Sequence, residues 1–344
     1  MKMAIEKNTE FKMRRASDDR HFSERIETLK KQIDEGIATL FRGRKPESLY
    51  TPMFYLLEAG GKRIRPILLI LSCSAVGGRP KDCLDAALAI ELLHTFTLVH
   101  DDIMDHDDMR RGRPTVHKQW DEPAAILAGD GLVTLAYQTL LKINHPEIIQ
   151  VQKTFTDGLL ALCEGQALDK EFETRDDVLI SEYEKMIEKK TGRLIEVSCE
   201  IGAILGNGTK EERENLKKFA ALLGKAFQIQ DDVLDVRSTE KITGKPMGSD
   251  LMEKKKTYLT IHFMGTGSAL DKARFLRLWH KDSLQRRDVL KIKALFEEAG
   301  TFEAAQCTVE KFIAKALKHL ETLPSSESRE DLKRMAFKIR DRIC

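Results

Sequence analysis

Residues 88–105 read LAIELLHTFTLVHDDIMD, and residues 220–235 read AALLGKAFQIQDDVLD. Each is an apolar helical run that ends in the same acidic pattern, two adjacent aspartates and a third three positions on. Residues four apart lie on one face of a helix, so Asp101 and Asp105 point the same way, with Asp102 to the side. Asp231, Asp232 and Asp235 repeat that arrangement. The position is unfavourable by itself. Carboxylates at a helix C-terminus meet the negative end of its dipole, at roughly 0.3–1 kcal/mol each, and neighbouring carboxylates repel. A divalent cation relieves both effects. Hard carboxylate oxygens suit magnesium, which keeps several waters and is shared with substrate phosphates. Two such helix ends facing one another would hold one ligand between them through bridging metals.

Basic residues follow the acidic ones. Lys62, Arg63 and Arg65 come after the Gly60–Gly61 break. Arg110, Arg111 and Arg113 come just beyond the first aspartate cluster. Lys245, Lys254, Lys255 and Lys256 surround the glycine-containing loop beyond the second. Arginine grips phosphate bidentately and lysine acts as a mobile point charge. A diphosphate carries up to about three negative charges, so burying one takes several such groups. Acid for metal followed by base for phosphate occurs twice. Lys189, Lys190 and Arg193 form a further, less distinctive basic group. His94 lies seven residues before Asp101, two turns back along the same face.

Further outward, the pattern is helical almost everywhere. Ile26, Leu29, Ile33, Ile37 and Leu40 recur at spacings of three and four, one face of a helix starting near His21. Helices are predicted over 67–76, 81–105, 124–143, 147–173, 181–205, 210–236, 257–264, 287–299, 301–323 and 329–342. No stretch keeps the alternation of a strand, although IRPILLILS (64–72) is a short buried run that reads either way. Glycine and proline gather in two loops, 110–114 and 243–250. There is no linker and no repeat of solenoid length. The organisation expected is a polar, flexible N-terminal extension over residues 1–20, then one all-α domain over 21–344.

Composition agrees. The 344 residues are 42% hydrophobic and 33% charged but only 6% aromatic, with a formal net charge of +2. So small a charge gives no global pull toward nucleic acid or an anionic membrane. Six scattered cysteines make neither a disulfide framework nor a zinc site. With no apolar leader core and no run of 18 apolar residues, a cytoplasmic protein without a membrane span is expected.

Five motifs in a fixed order, GGKRIRP (60–66), HDDIMDHDDMRRGRPT (100–115), KKTGRL (189–194), FQIQDDVLD (227–235) and GKPMGSD (244–250), carry a resemblance. The sequence resembles the trans-prenyltransferases, the head-to-tail isoprenyl diphosphate synthases, from about His21 onward. With two residues between the aspartate pair and the third aspartate, the first cluster is similar to the archaeal and eukaryotic types. The stretch ELLHTFTLVHDDIMD looks most like archaeal geranylgeranyl diphosphate synthases.

The resemblance implies a helical bundle around a deep central cavity, of the isoprenoid synthase type, usually a homodimer. It implies about three Mg2+ ions on Asp101, Asp105 and Asp231, with Asp102 and Asp235 in support. Lys62, Arg65, His94 and Arg111 would hold the diphosphate of isopentenyl diphosphate. Arg110, Lys190, Lys245 and Lys255 would hold that of the allylic partner (dimethylallyl, geranyl or farnesyl diphosphate), with either neighbour of Lys255 able to replace it. Thr191 and Gln228 would face the allylic carbons. Thr97 shares the face of Asp101, and by resemblance Phe96 limits the tunnel for the growing tail. The expected product is C20 geranylgeranyl diphosphate, with C15 farnesyl diphosphate the alternative. Two readings of other kinds are a terpene cyclase, which would normally have one aspartate cluster and an Asn/Ser/Glu metal motif, and a non-catalytic regulatory subunit, which would tend to lose aspartates.

Overall fold

The computed structural model describes residues 2–237 and 247–341, those of 2–18 as helical backbone. Helix α1 (Lys2–Phe41) runs through both the polar N-terminal residues and the patterned stretch. Its apolar stripe is buried as the spacing requires, Ile33 and Ile37 almost completely. Helix α2 (Glu47–Glu58) ends at the Gly60–Gly61 break, and α3 (Ile64–Ala75) takes the ambiguous IRPILLILS run as a helix with Pro66 in its first turn. Helix α4 (Leu84–Met104) is central: from Ala86 to Leu93 every side chain is buried. A helix apolar on all sides belongs inside a larger bundle.

Helix α5 (Val116–Gln119) is a short turn, and α6 (Glu122–Leu140) begins at an Asp121 cap whose carboxylate accepts from the Ala124 amide at 2.7 Å. The chain continues through α7 (Ile148–Glu173), α8 (Ile180–Ile187), α9 (Arg193–Leu205) and α10 (Lys210–Arg237). Helices Tyr258–Thr266, Ala269–Trp279, Arg286–Glu298, Thr301–Glu321 and Glu327–Arg340 complete the bundle. The main packing pairs are α4 on α6, α3 on α9, and α10 on both α9 and Thr301–Glu321. One continuous apolar cluster runs from Phe22 to Ile339. No helix among the described residues is long and apolar enough to cross a membrane.

The structure departs from the expected elements in several places. Helix α1 begins at Lys2 rather than near His21, and α2 is not among the expected helices. Residues 110–114 form a tight antiparallel ladder, Arg110 opposite Arg113. Helix Ala269–Trp279 has no counterpart among the expected elements. The expected single helix over 181–205 is interrupted by a π-helical turn at Glu188–Gly192. A π-turn inserts a residue into a helix and bulges it outward. Here it presses Lys190 against α7, where Gly165 makes room: a Cβ there would overlap the Lys190 backbone.

Candidate active site

The first aspartate cluster closes α4. The Asp105 amide donates to the Asp101 carbonyl at 2.8 Å, so both carboxylates hang from the last turn. Burial pushes the Asp101 carboxyl above its ordinary range; Lys190 opposes this and Asp105 adds to it. Asp105 goes the other way. Burial also disfavours its charge, but Lys255, Lys190 and Lys170 outweigh burial and hold its pKa down. Lys255 Nζ lies 2.9 Å from Asp105 Oδ2, and Lys170 Nζ lies 3.3 Å from Oδ1. Asp102 is buried and accepts from Arg110 Nε at 2.5 Å, while Arg110 also reaches Asp107 at 3.3 Å.

The second cluster divides into different tasks. Asp231 is half-buried. Asp232 is a core acceptor: Tyr183 Oη donates to it at 2.6 Å, the Tyr258 amide at 2.8 Å and Gln228 Nε2 at 2.9 Å. Burial, then Asp250, pushes its pKa up to about 7. Asp235 accepts from Ser249 Oγ at 2.7 Å and the Asp250 amide at 3.2 Å, and burial with Asp250 raises its pKa to about 8. Part of this motif therefore holds the fold around α10, a role that its sequence pattern did not reveal.

Gln228 is oriented from both ends. Thr191 Oγ1 donates to Gln228 Oε1 at 2.6 Å, and the amide group of Gln228 donates to Asp232. Lys190, next along the π-turn, is ion-paired with Asp169 of α7. Burial disfavours its charge, but Asp169 and Asp101 more than restore it, so its pKa is raised. Lys190, Thr191, Gln228 and Lys255 line one small cavity of about 90 Å³ with Asp169, Asp232 and Asp250.

Lys190 also borders a larger cavity of about 320 Å³. Its lining includes charged Asp101, Lys170 and Lys190 together with Phe96, Thr97, His100, Met104, Leu162 and Cys163. Thr97 donates its hydroxyl to the His94 carbonyl at 2.8 Å.

The three consecutive lysines part company. Lys254 donates to the Lys281 carbonyl at 2.6 Å, and Lys256 pairs with Asp176 at 3.2 Å and lies 5.0 Å from the Trp279 ring centre. Only Lys255 of the three turns to the first aspartate cluster. Lys245 lies outside the described residues.

A second basic group surrounds His94. Arg65 Nη1 is 3.2 Å from His94 Nε2. A guanidinium only donates, so Nε2 accepts and Nδ1 carries the proton. Burial, then the charges of Arg65, Arg111, Arg110 and Arg63, hold the imidazole well below its ordinary range. Arg111 is anchored by the carbonyls of Leu56, at 3.1 Å, and Gly60. Lys62 is exposed and borders a separate groove between α1 and the helix Glu327–Arg340. Arg63, the expected phosphate-facing neighbour of Lys62, instead points inward. Its left-handed backbone (φ 48°) caps α3, and its guanidinium binds Asp34 at 2.8 Å, Glu91 at 2.6 Å and the Leu57 carbonyl at 2.7 Å. Sequence reasoning also missed Asp169 and Lys170, an adjacent acid–base pair on α7 that reads as ordinary solvated surface.

The donor chemistry fits magnesium. Asp101 offers hard oxygen ligands at the larger cavity, and Asp105, one turn on, already draws the ammonium groups of Lys255 and Lys170 to its oxygens. Among the described residues no three carboxylates, histidines or cysteines gather closely enough to hold a metal by themselves. An open set of that kind suits an ion that takes one or two carboxylates and completes its shell with water and phosphate.

Residues 46–297 match the family model described as polyprenyl synthetase. A geranylgeranyl diphosphate synthase of Methanosarcina mazei is 46% identical over 248 residues, 72% of this chain and 76% of that protein. A short chain isoprenyl diphosphate synthase of Methanothermobacter thermautotrophicus is 41% identical over 88% of this chain and 93% of that protein. The crystal structure of geranylgeranyl pyrophosphate synthetase from Pyrococcus horikoshii superposes with a TM-score of 0.88 at 41% identity, covering 94% of this chain and 99% of that one.

Proposed function

The chain belongs to the polyprenyl synthetase family, and on that premise we propose that it condenses isopentenyl diphosphate head-to-tail with an allylic diphosphate to give geranylgeranyl diphosphate. The observation that carries this reading is the cavity of about 320 Å³, which charged Asp101, Lys170 and Lys190 line together with Phe96, Thr97, Met104 and Leu162. Groups suited to a charged head and an apolar tail thus share one cavity.

Ionisation of an allylic carbon–oxygen bond leaves diphosphate, which departs slowly unless its charge is neutralised. Magnesium held by Asp101, Asp105 and Asp231 supplies Lewis-acid neutralisation when bound. Arg110, Lys190 and Lys255 share the load from the protein side as pre-oriented charges, and Lys245 belongs to the same proposed set. Thr191 and Gln228 are locked by their mutual hydrogen bond, which fixes the dipoles facing the allylic carbons. Arg65, Arg111 and neutral His94 bind the diphosphate of isopentenyl diphosphate and orient that substrate's double bond toward the cation, with Lys62 reaching the same diphosphate from its exposed position. The apolar walls exclude water, which would otherwise trap the cation as an alcohol. The proton released goes to the departing diphosphate, which is itself a base at the reacting centre. Exposed Ile126 and Leu127 on α6, and Ile149 and Leu160 on α7, support a second copy of the chain packing there.

The test is Asp101→Ala. Turnover should fall by at least about 100-fold, on the scale of losing a key electrostatic group, with an unchanged circular dichroism spectrum. Near-normal turnover in a folded variant would contradict the assignment.

A further inference from the structure

This inference rests on the elongation reading just given. Phe96 and His100 lie one turn apart on α4, and both line the larger cavity. Their ring centroids are 4.8 Å apart with the planes at 65°, an edge-to-face contact, the arrangement aromatic quadrupoles favour. His100 is held from outside α4 as well. Its Nε2 lies 3.3 Å from the Ile126 carbonyl of α6; a carbonyl only accepts, so Nε2 is the donor. The ring rests where α6 has no side chain: a Cβ on Gly129 would overlap His100 Nε2. The imidazole is thus set by its own helix, by the Ile126 carbonyl and by the Gly129 notch. Phe96 therefore meets this fixed ring within the cavity wall.

We infer that His100, seated in the Gly129 notch, is a specificity-determining residue for product length, because it fixes the Phe96 ring at which the growing chain stops. Without that backing the Phe96 ring is no longer held to one staggered rotamer. A chain growing away from Asp101 passes Thr97 and meets Phe96, so turning that ring aside deepens the space open to the chain. A merely structural role for His100, packing α4 on α6, would change stability and leave product length alone.

The experiment sizes dephosphorylated products made from labelled isopentenyl diphosphate and a C15 allylic starter, with kcat and KM for that starter measured alongside. His100→Ala is expected to move product from C20 toward C25 or longer, with KM within about threefold of wild type. His100→Gln, which can reach the Ile126 carbonyl but offers no ring, should shift product in the same direction. Phe96→Ala should lengthen the product, and adding His100→Ala to it should change the profile little further, since residues acting through one another are not additive. A folded His100→Ala or His100→Gln enzyme that makes the wild-type product, at whatever rate, overturns the inference. A raised KM with unchanged product length also overturns it and makes His100 a substrate contact. Failure of the elongation reading is distinct: the wild-type protein itself would extend no starter.

Discussion

Lys255 and Asp105 meet at 2.9 Å, Nζ to Oδ2, although they are 150 positions apart in the chain. The contact joins the segment after α10 to the end of α4, and the Lys255 side chain, also 2.6 Å from Glu253, is mostly buried. In the proposed function the lysine exchanges a carboxylate for an incoming diphosphate. Lys255→Ala should lower kcat/KM for the allylic substrate ten- to hundred-fold, about 1.5–3 kcal/mol for a hydrogen bond to a charged group. Lys254→Ala and Lys256→Ala should stay within about twofold. Steady-state kinetics on the three variants decides this, and equal losses at all three would contradict the assignment.

Arg63 and Lys62 are neighbours with opposite tasks. Arg63 is buried against buried Glu91, and removing one partner of such a pair typically costs about 3–5 kcal/mol because the other charge is stranded. Arg63→Met should show that loss in urea denaturation. Lys62→Ala, at an exposed position, should lose less than about 0.5 kcal/mol while raising KM for isopentenyl diphosphate. The reverse pattern would overturn both roles.

Much of this arrangement was legible in the sequence. The three-to-four spacing gave the helices, and the repeated acidic pattern located two helix ends. Thr97 and Asp101, four apart on one face of α4, do border one cavity, and Phe96, expected there by resemblance, borders it too. What was not legible depends on tertiary placement. Nothing local distinguishes Lys255 from its neighbours; the left-handed backbone at Lys254 (φ 58°) helps set which way each one points. Lys170 reaches Asp105 across 65 residues, and no periodicity in α7 announces a partner that distant. Arg63 reads as a third phosphate ligand until its left-handed cap turns it inward. The π-turn that presents Lys190 and Thr191 depends on the close approach of α7 at Gly165, which a single helix pattern does not encode.

His94 gives a pH dependence with a definite sign. Its folded pKa is depressed, so the unfolded chain takes up a proton that the folded one refuses. Its contribution to stability is fully present above the unfolded value of about 6.5 and is lost as pH falls from there toward the folded value. The slope from this one group approaches about 1.4 kcal/mol per pH unit. His94→Gln should flatten the stability profile between about pH 6.5 and pH 5, measured by denaturant unfolding at each pH. An unchanged slope would mean that His94 is protonated normally in the folded protein.

The central claim is elongation of an allylic diphosphate at the paired aspartate clusters. Its most direct test incubates the purified protein with magnesium, labelled isopentenyl diphosphate and, separately, C5, C10 and C15 allylic diphosphates, and sizes the dephosphorylated products. The account predicts extension from each starter to one dominant length, C20, abolished by a chelator and restored by added magnesium. No extension from any starter by the folded, metal-supplied protein, or a cyclic hydrocarbon in place of a linear alcohol, would contradict it.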